Sequence, residues 1–221
     1  MKILVTAGGT EEPLDGVRYI GNLSTGLTGL NIARTFGAHG WDVYLLHGRR
    51  VDVSGLDCET NAFRTFDDLG SSLKALLETH HFDAVVHLAA VSDYRLASIE
   101  LDGEVLPADT TGKIESGHEL VLRLAPNPKL LDSLKQWSAN PDIRIVAFKL
   151  TNDPDPARRK TAIEDLLARG TAEFVVHNDL GEIGEHRHRA AIYTRTGLLG
   201  TAENKTELAG MLVHILHNGE R

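Results

Sequence analysis

Short apolar runs alternate with amphipathic segments along most of the 221-residue chain. Runs rich in β-branched residues at 2–6, 42–46 and 84–88 predict buried strands. The segments between them, at 26–39 and 67–79, carry apolar residues at helical spacing, and Gly40 is a typical helix stop. A β-α-β-α-β order at this spacing indicates a doubly wound parallel sheet.

The pattern changes between about residues 98 and 124. Two short strands, at 98–101 and 120–124, are predicted around a mobile polar loop, and the segment 11–23 is predicted to be irregular because it is polar and glycine-rich. The α/β rhythm then returns, with helices at 128–137, 156–169 and 205–217, strands at 143–149 and 173–177, and an antiparallel edge strand at 189–194. We therefore predict a single α/β domain over 1–221, with a Rossmann-like, doubly wound, mostly parallel sheet and a flap-like insertion at about 98–124.

Composition narrows the class of protein. Hydrophobic residues make up 42% and charged residues 24%, as in ordinary globular domains, and the net charge of −8 disfavours nucleic acid or an anionic membrane as a partner. Cys58 is the single cysteine, which excludes an intrachain disulfide and favours a cytoplasmic location. No signal peptide or transmembrane run is expected. The histidines, including those at 80–81 and 185–188, lack the spacing of metal ligands, so we expect no metal site among them.

The loops that follow predicted strands, at 7–23, 89–97, 149–155 and 177–187, should line one crevice. The first ends at Ser24, Thr25 and Gly26, where free helix N–H groups would hold a phosphate or carboxylate, unless Ser24 simply caps the helix. A dinucleotide site is the rival, because the segment 85–90 (VVHLAA) resembles extended short-chain dehydrogenases. Against it, G-x-G-x-x-G is absent, and no tyrosine is followed four residues later by lysine.

Six motifs follow one another along nearly the whole chain: TAGGTEEPLDGVRYIGNLSTGLTG, AAVSDY, GKI, LAPNPKLL, AFKLTND and HNDL. Together they resemble the phosphopantothenate–cysteine ligases, in the stand-alone type without a fused flavoprotein domain. The resemblance implies a coenzyme A biosynthetic enzyme that activates 4′-phosphopantothenate with CTP or ATP and Mg²⁺. An acyl-nucleotide and pyrophosphate would form, and the cysteine amine would then displace the nucleoside monophosphate.

The resemblance also implies roles for individual residues. Asn22, Asp93 and the flap residue Lys113 are expected to be catalytic, with Asn22 at the acyl intermediate, Asp93 near the substrate and the ion, and Lys113 on the triphosphate. Substrate binding is expected of Arg18, Ser24, Thr25, Gly26, Ala89 and Ala90, with Arg18 reaching the neighbouring subunit of a homodimer. Nucleotide binding is expected of Gly8, Gly9, Thr10, Asn127, Lys129, Phe148, Lys149, Asn178 and Asp179.

The sequence differs from bacterial family members that carry a fused flavoprotein domain, and the differences bear on which nucleotide is used. Glu115 stands in a stretch that is lysine-rich in many fused members, Pro126 replaces a lysine, and the segment 148–151 is closer to stand-alone and eukaryotic members. The choice between CTP and ATP is therefore open. Two other functions stay open as well: an NAD(P)-dependent reductase like the short-chain dehydrogenases, and a non-catalytic nucleotide-binding homologue.

Overall fold

The computed structural model describes residues 1–107, 112–117, 119–184 and 188–218. Its strands are β1 (Lys2–Ala7), β2 (Glu11–Pro13), β3 (Tyr19–Gly21), β4 (Asp42–Gly48), β5 (Glu59–Phe63), β6 (Ala84–His87), β7 (Tyr94–Leu101), β8 (Glu104–Pro107), β9 (Leu120–Pro126), β10 (Arg144–Thr151), β11 (Phe174–Asp179), β12 (Ala190–Thr194) and β13 (Gly197–Ala202). Its helices are α1 (Leu27–Ala38), α2 (Phe66–Thr79), α3 (Leu134–Trp137), α4 (Pro156–Ala168) and α5 (Lys205–Asn218).

An eight-stranded sheet in the order β13-β12-β11-β10-β6-β1-β4-β5 forms the centre of the described structure. The pairs from β11 to β5 are parallel, whereas β12 and β13 are antiparallel. This confirms the predicted Rossmann-like α/β class. The chain runs from β1 to β4 and β5 on one side and then returns to β6 on the other. The topological switch point, where such sheets bind ligands, therefore lies between the carboxyl ends of β1 and β6.

Each face of the sheet has its own apolar core. Ile3 and Val5 of β1 pack with α1 and α5 on one face, and Leu4 packs with α2 and α4 on the other. Continuous burial of β1 on both faces is what a central parallel strand requires. The two cores hold β1 and β6 rigidly, so that the loops leaving their carboxyl ends start from fixed positions.

Several predicted elements need correction. The segment 11–23 is not irregular throughout, because β2 and β3 pair as a short antiparallel hairpin. The strand at 189–194 is not at the edge, since β13 pairs outside it. The strands β5, β8 and β13 were not predicted. The predicted helix at 128–137 is a 3₁₀ turn at Leu130–Ser133 followed by the one-turn helix α3.

A second, antiparallel sheet in the order β8-β7-β9 stands where the flap is predicted. Leu14, Ile99 and Ile114 form a small apolar core of their own beneath it. Since β7 follows the loop after β6, this sheet rises directly from the switch point. Residues 108–111 and 118, which belong to the predicted mobile loop, lie outside the described residues. In the described part of the chain, no helix is long and apolar enough to cross a membrane.

Candidate functional site

The loops that leave β1 and β6 lie side by side at the switch point. The Ala90 N–H donates to the Gly8 carbonyl at 2.8 Å, and the Thr10 N–H donates to the Ala90 carbonyl at 3.2 Å. The Thr10 hydroxyl also accepts from the Ser92 N–H at 2.9 Å. Two predicted site segments that are remote in sequence therefore form one continuous surface.

A buried hydroxyl shapes the turn after β6. Thr6 Oγ1 accepts from the Leu88 and Ala89 N–H groups at 3.1 and 3.0 Å and lies 3.0 Å from His87 Nδ1. Because this oxygen already accepts two bonds, its own proton goes to His87 Nδ1, which fixes a neutral ring protonated at Nε2. Burial lowers the pKa of His87 to about 4, in agreement with a neutral ring. Sequence analysis missed both residues, although polar residues inside apolar strand runs are the signal.

Glycines bring the first loop close to the sheet. Gly8 and Gly26 have positive φ angles of 82° and 73°, and a Cβ on either would lie 2.6–2.7 Å from Val51 Cγ2. A Cβ on Gly9 would lie 2.9 Å from the Asn22 carbonyl oxygen. The backbone at 22–26 can therefore fold over the end of β1 only because glycines occupy these positions.

Helix α1 begins without a side-chain cap. Gly26 is its N-cap residue, and no side-chain cap hydrogen bond is present, so the interpretation of Ser24 as the cap is wrong. Within the described residues, exposed Ser24 makes no hydrogen bond, and Thr25 Oγ1 only approaches the Leu27 N–H at 3.4 Å. These hydroxyls and the first-turn N–H groups therefore remain available to an anion.

Asn22 and Asp93 line one cavity of about 270 Å³ beside this surface. Asn22 Nδ2 donates to the Val91 carbonyl at 3.1 Å, which holds its carboxamide over the turn after β6. Glu12 lines the same cavity; its carboxylate accepts from the Phe66 N–H at 2.9 Å, and burial raises its pKa. The cavity therefore combines an amide donor with two carboxyl groups in different surroundings.

Asn127 joins the loops that follow β6 and β9. Its N–H donates to the Asp93 carbonyl at 2.8 Å, and its Nδ2 donates to the Ser92 carbonyl at 3.0 Å. Lys129, two residues later, places its ammonium against the Asp93 carboxylate. Both charged side chains are about half exposed or more. The ion pair thus stands at the mouth of the site, where an incoming anion competes for the lysine.

The predicted nucleotide residues Phe148 and Lys149 lie on β10, and Asn178 lies beside them on β11. Lys149 is in register with His177, and Phe148 packs against one apolar core. Lys149 is half-buried and, within the described residues, makes no ion pair. Asn178 is buried, and its Nδ2 donates to the Arg189 carbonyl at 2.8 Å.

Asp179 closes the end of β11. Its carboxylate accepts from Thr151 Oγ1 at 2.6 Å and from the Gly181 N–H at 3.0 Å. These bonds, led by the one from Thr151, keep the pKa of Asp179 below its usual value. The buried carboxylate therefore ties the ends of β10 and β11 together at the carboxyl edge.

Arg18 contacts the flap at Ile114, the residue that follows Lys113. The Arg18 guanidinium donates to the Asp15 carboxylate and, at 2.9 Å, to the Ile114 carbonyl. Lys113 precedes Ile114, and its side chain is exposed and makes no ion pair within the described part of the chain. Arg18 thus contacts the flap of its own subunit beside the predicted catalytic lysine.

A charge cluster that the sequence did not reveal supports the hairpin β2–β3. The buried Glu11 carboxylate accepts from Arg49 Nε at 2.7 Å and from Arg50 Nε at 2.5 Å. The Arg50 guanidinium also lies 4.8 Å from the centre of the Tyr19 ring.

Among the described residues, no group of three or more His, Cys, Asp or Glu side chains is placed to hold a metal ion. Residues 185–187 of the histidine-rich segment lie outside that range.

Comparisons with known proteins agree with this architecture. A family model described as "DNA/pantothenate metabolism flavoprotein C-terminal domain" matches residues 1–218. The coenzyme A biosynthesis bifunctional protein CoaBC of Thermococcus kodakarensis is 30% identical over 194 residues, which are 88% of this chain and 45% of the relative. The CoaBC protein of Methanocaldococcus jannaschii is 26% identical over 96% of this chain and 49% of its own. The chain therefore spans about half the length of the curated relatives it matches.

Solved structures show the same fold. The DNA/pantothenate metabolism flavoprotein from Streptococcus pneumoniae superposes with a TM-score of 0.87 at 28% identity, covering 99% of both chains. A complex of a Cab2 mutant with phosphopantothenate-cysteine superposes with a TM-score of 0.77 at 20% identity, covering 98% of this chain and 86% of that one.

Proposed function

The chain belongs to the family of DNA/pantothenate metabolism flavoprotein C-terminal domains, and from this premise we propose that it is a phosphopantothenate–cysteine ligase of coenzyme A biosynthesis. The CoaBC names of its relatives and the phosphopantothenate-cysteine held by the Cab2 fold relative support the proposal. The observation that carries it is the position of Asn22. Its carboxamide lies over the turn after β6 and shares a cavity with Asp93.

The proposed reaction has two steps. A carboxylate oxygen of 4′-phosphopantothenate attacks the α-phosphorus of CTP or ATP, forming an acyl–phosphate bond while the bond to the leaving pyrophosphate breaks. The cysteine amine then attacks the acyl carbon, the nucleoside monophosphate leaves with the electron pair, and the amine loses its proton. Neither step needs a protein nucleophile. Both need positioning and donors for the developing negative charge.

Asn22 supplies such a donor in this scheme. A carboxamide has two N–H protons, and the bond to the Val91 carbonyl uses one of them and fixes the group. The second N–H is left for the acyl oxygen, where negative charge grows as cysteine attacks. The small side chains of Ala89 and Ala90 beside it leave room for the pantothenate chain.

Three lysines offset the charge of the triphosphate in the proposal. Lys149 has no ion-pair partner within the described residues, Lys113 is exposed on the flap, and Lys129 is paired only with exposed Asp93. Mg²⁺ would enter with the phosphates as part of the second substrate, and the exposed carboxylate of Asp93 is a group that would hold it. Mg²⁺ in proteins is usually coordinated by one or two carboxylates together with substrate phosphates.

We also propose a homodimer, with a cytoplasmic location staying a prediction. Residues 16–25 are all exposed, and Leu23 is fully so, although this stretch contains large apolar side chains. Tyr94 and Leu124 on the flap sheet are also about half exposed. An apolar surface of this kind around the site, with Arg18 within it, fits a partner subunit.

Pyrophosphate release tests the function, because it reports the first step without cysteine. The wild type should release pyrophosphate from phosphopantothenate with Mg²⁺ and either CTP or ATP. Lys113→Gln, which removes only the charge, should slow release about 100-fold, as loss of a transition-state donor does. Lys160→Gln, in an exposed i,i+4 ion pair on α4, is the matched control and should leave the rate unchanged.

Two outcomes would overturn parts of the proposal. A wild-type rate in Lys113→Gln would make that lysine a solvated loop residue without a catalytic role. No pyrophosphate from the wild type with either nucleotide would reject the ligase. Calorimetric titration would then assign the chain as a nucleotide binder if CTP or ATP binds, or as a reductase if only NADPH binds.

A further inference from the structure

We propose that Asp15 is a positioning residue for Lys113, because its carboxylate, together with Arg18, fixes the flap backbone at Ile114. This inference rests on the proposed function of Lys113. Asp15 lies in the turn between β2 and β3. Within the described residues it makes no hydrogen bond or ion pair with the Lys113 side chain and does not line the cavity, so its action would pass through Ile114.

The Asp15 carboxylate is fully buried and has a separate task for each oxygen. Oδ1 accepts from the N–H groups of Val17 and Arg18 at 2.9 and 2.7 Å, which makes the turn of the hairpin. Oδ2 accepts from the Ile114 N–H at 3.1 Å and from Arg18 Nε at 2.9 Å. One side chain therefore both builds the hairpin turn and holds the flap.

Arg18 completes the attachment from the other side. Its Nη2 donates to the Ile114 carbonyl at 2.9 Å, so both backbone polar groups of Ile114 are bound by the Asp15–Arg18 pair. The Ile114 side chain is buried against Leu14 and Ile99. The residue beside Lys113 is thus fixed at its N–H, its carbonyl and its side chain, whereas the Lys113 side chain is exposed.

The hairpin turn uses only Oδ1 of Asp15, so the turn does not account for the bonds that Oδ2 makes with the flap. The apolar contact of Leu14 with Ile114 could dock the flap alone, whereas a buried charge costs free energy unless it is fully hydrogen-bonded. The Asp15–Arg18 pair adds a defined backbone orientation, because the bonds to the N–H and the carbonyl of Ile114 fix the course of the chain next to Lys113. The same hairpin leads directly to Asn22, so this attachment relates the flap lysine to the predicted donor. The Arg18 guanidinium also holds the pKa of Asp15 well below its usual range, in agreement with an ionised carboxylate that accepts these bonds.

The test is a double-mutant cycle on pyrophosphate release. Asp15→Asn has nearly the same size, but it lacks the charge and has only one acceptor oxygen. We expect kcat to fall about 10- to 100-fold while the KM for phosphopantothenate changes less than about 3-fold. The variant Asp15→Asn/Lys113→Gln should be no slower than Lys113→Gln alone, because positioning has no value once the ammonium is gone. If the kcat losses of the two single variants multiplied in the double variant, the proposal would be overturned.

Hydrogen exchange of the Ile114 amide tests the attachment without activity. The amide should be protected in the wild type and should exchange at least about 10-fold faster in Asp15→Asn. The matched control is Asp52→Asn, since Asp52 makes a similar turn by accepting from the Ser54 N–H at 3.0 Å and forms no hydrogen bond with the described residues of the flap. Unchanged exchange at Ile114 in Asp15→Asn would overturn the proposal.

The two failures can be told apart. If the wild type releases no pyrophosphate, the proposed function fails. The Kd for Mg²⁺-ATP or Mg²⁺-CTP is then measured for the wild type, the two single variants and the double variant. Loss of Lys113-dependent affinity in Asp15→Asn would still support positioning, and unchanged affinity would reject it. Should Asp15→Asn not fold, Arg18→Lys replaces it, because lysine keeps the charge beside Asp15 but cannot span to the Ile114 carbonyl as well.

Discussion

Replacing Thr6 with valine would remove one buried hydroxyl while keeping the shape of the side chain. The Leu88 and Ala89 N–H groups would lose their acceptor, and His87 Nδ1 would lose its donor. Thr6 is fully buried at the end of β1, so no water lies at hand to replace the oxygen. The substitution therefore tests whether this hydroxyl shapes the turn at Ala89.

The expected loss of stability follows from the number of bonds. Each buried polar group left unpaired costs about 1–3 kcal/mol. With two backbone N–H groups affected, and some relaxation of the turn, we expect the free energy of unfolding to fall by about 3 kcal/mol. Thr6→Ser keeps the hydroxyl and loses one methyl group, so it should cost only about 1 kcal/mol.

Urea unfolding measures both values, and pyrophosphate release measures the consequence for the site. A displaced Ala89 turn should raise the KM for phosphopantothenate in Thr6→Val but not in Thr6→Ser. Equal stability of the two variants, or equal KM values, would refute the idea that the Thr6 hydroxyl shapes the turn.

Three further predictions concern the same surface. His87 has a pKa of about 4 in the folded protein and 6.5 in the unfolded chain, so the unfolded state binds more protons and the free energy of unfolding falls by about 3 kcal/mol between pH 6.5 and pH 4. Urea unfolding of His87→Gln should show a weaker pH dependence. An unchanged pH dependence would mean that other groups cause it. Gly9→Ala places a Cβ 2.9 Å from the Asn22 carbonyl oxygen and should raise the KM for phosphopantothenate about 10-fold. The control Gly37→Ala, whose Cβ would have nothing within 4 Å, should leave the KM unchanged and slightly stabilise α1. Equal KM values of the two variants would contradict the role of the contact between Gly9 and Asn22. Mixing Arg18→Ala chains with Asn22→Ala chains should restore part of the activity in heterodimers, because one site then has its own Asn22 and the Arg18 of the partner subunit. The recovery should be incomplete, since the flap of that site's own chain lacks the bond from Arg18 to Ile114. A fully active monomer in sedimentation would contradict the shared site.

The sequence revealed the central strands because their apolar residues are continuous or alternate over the whole strand. The strands β5 and β2 were missed for the opposite reason. β5 is an edge strand whose first four residues are exposed, so it has no apolar signal. β2 has three residues, and its pairing with β3 depends on the turn that Asp15 builds through two backbone bonds. Such a turn follows from tertiary position and not from periodicity.

The candidate site was predictable only as far as motifs name residues. Asp93 and Lys129 were both named, but no pattern indicates that they pair with each other. Thr6 and His87 were not named, since a strand pattern does not reveal which buried polar group supports a loop above it. Arg18 was expected to face a neighbouring subunit, and its bond to Ile114 of the same chain becomes visible only when the flap is folded.

The hairpin β2–β3 connects the separate parts of the site. Its preceding loop bonds Ser92 through Thr10, its turn holds the flap through Asp15, and its second strand leads directly to Asn22. Leu14 is the only buried apolar residue of the hairpin at 11–21, which is joined to the central domain by the Glu11 cluster and by the bond from the Phe66 N–H to Glu12. Local opening of this hairpin should therefore need less free energy than global unfolding. Because it would separate the amide of Asn22 from the flap lysine, activity should be lost before the sheet unfolds.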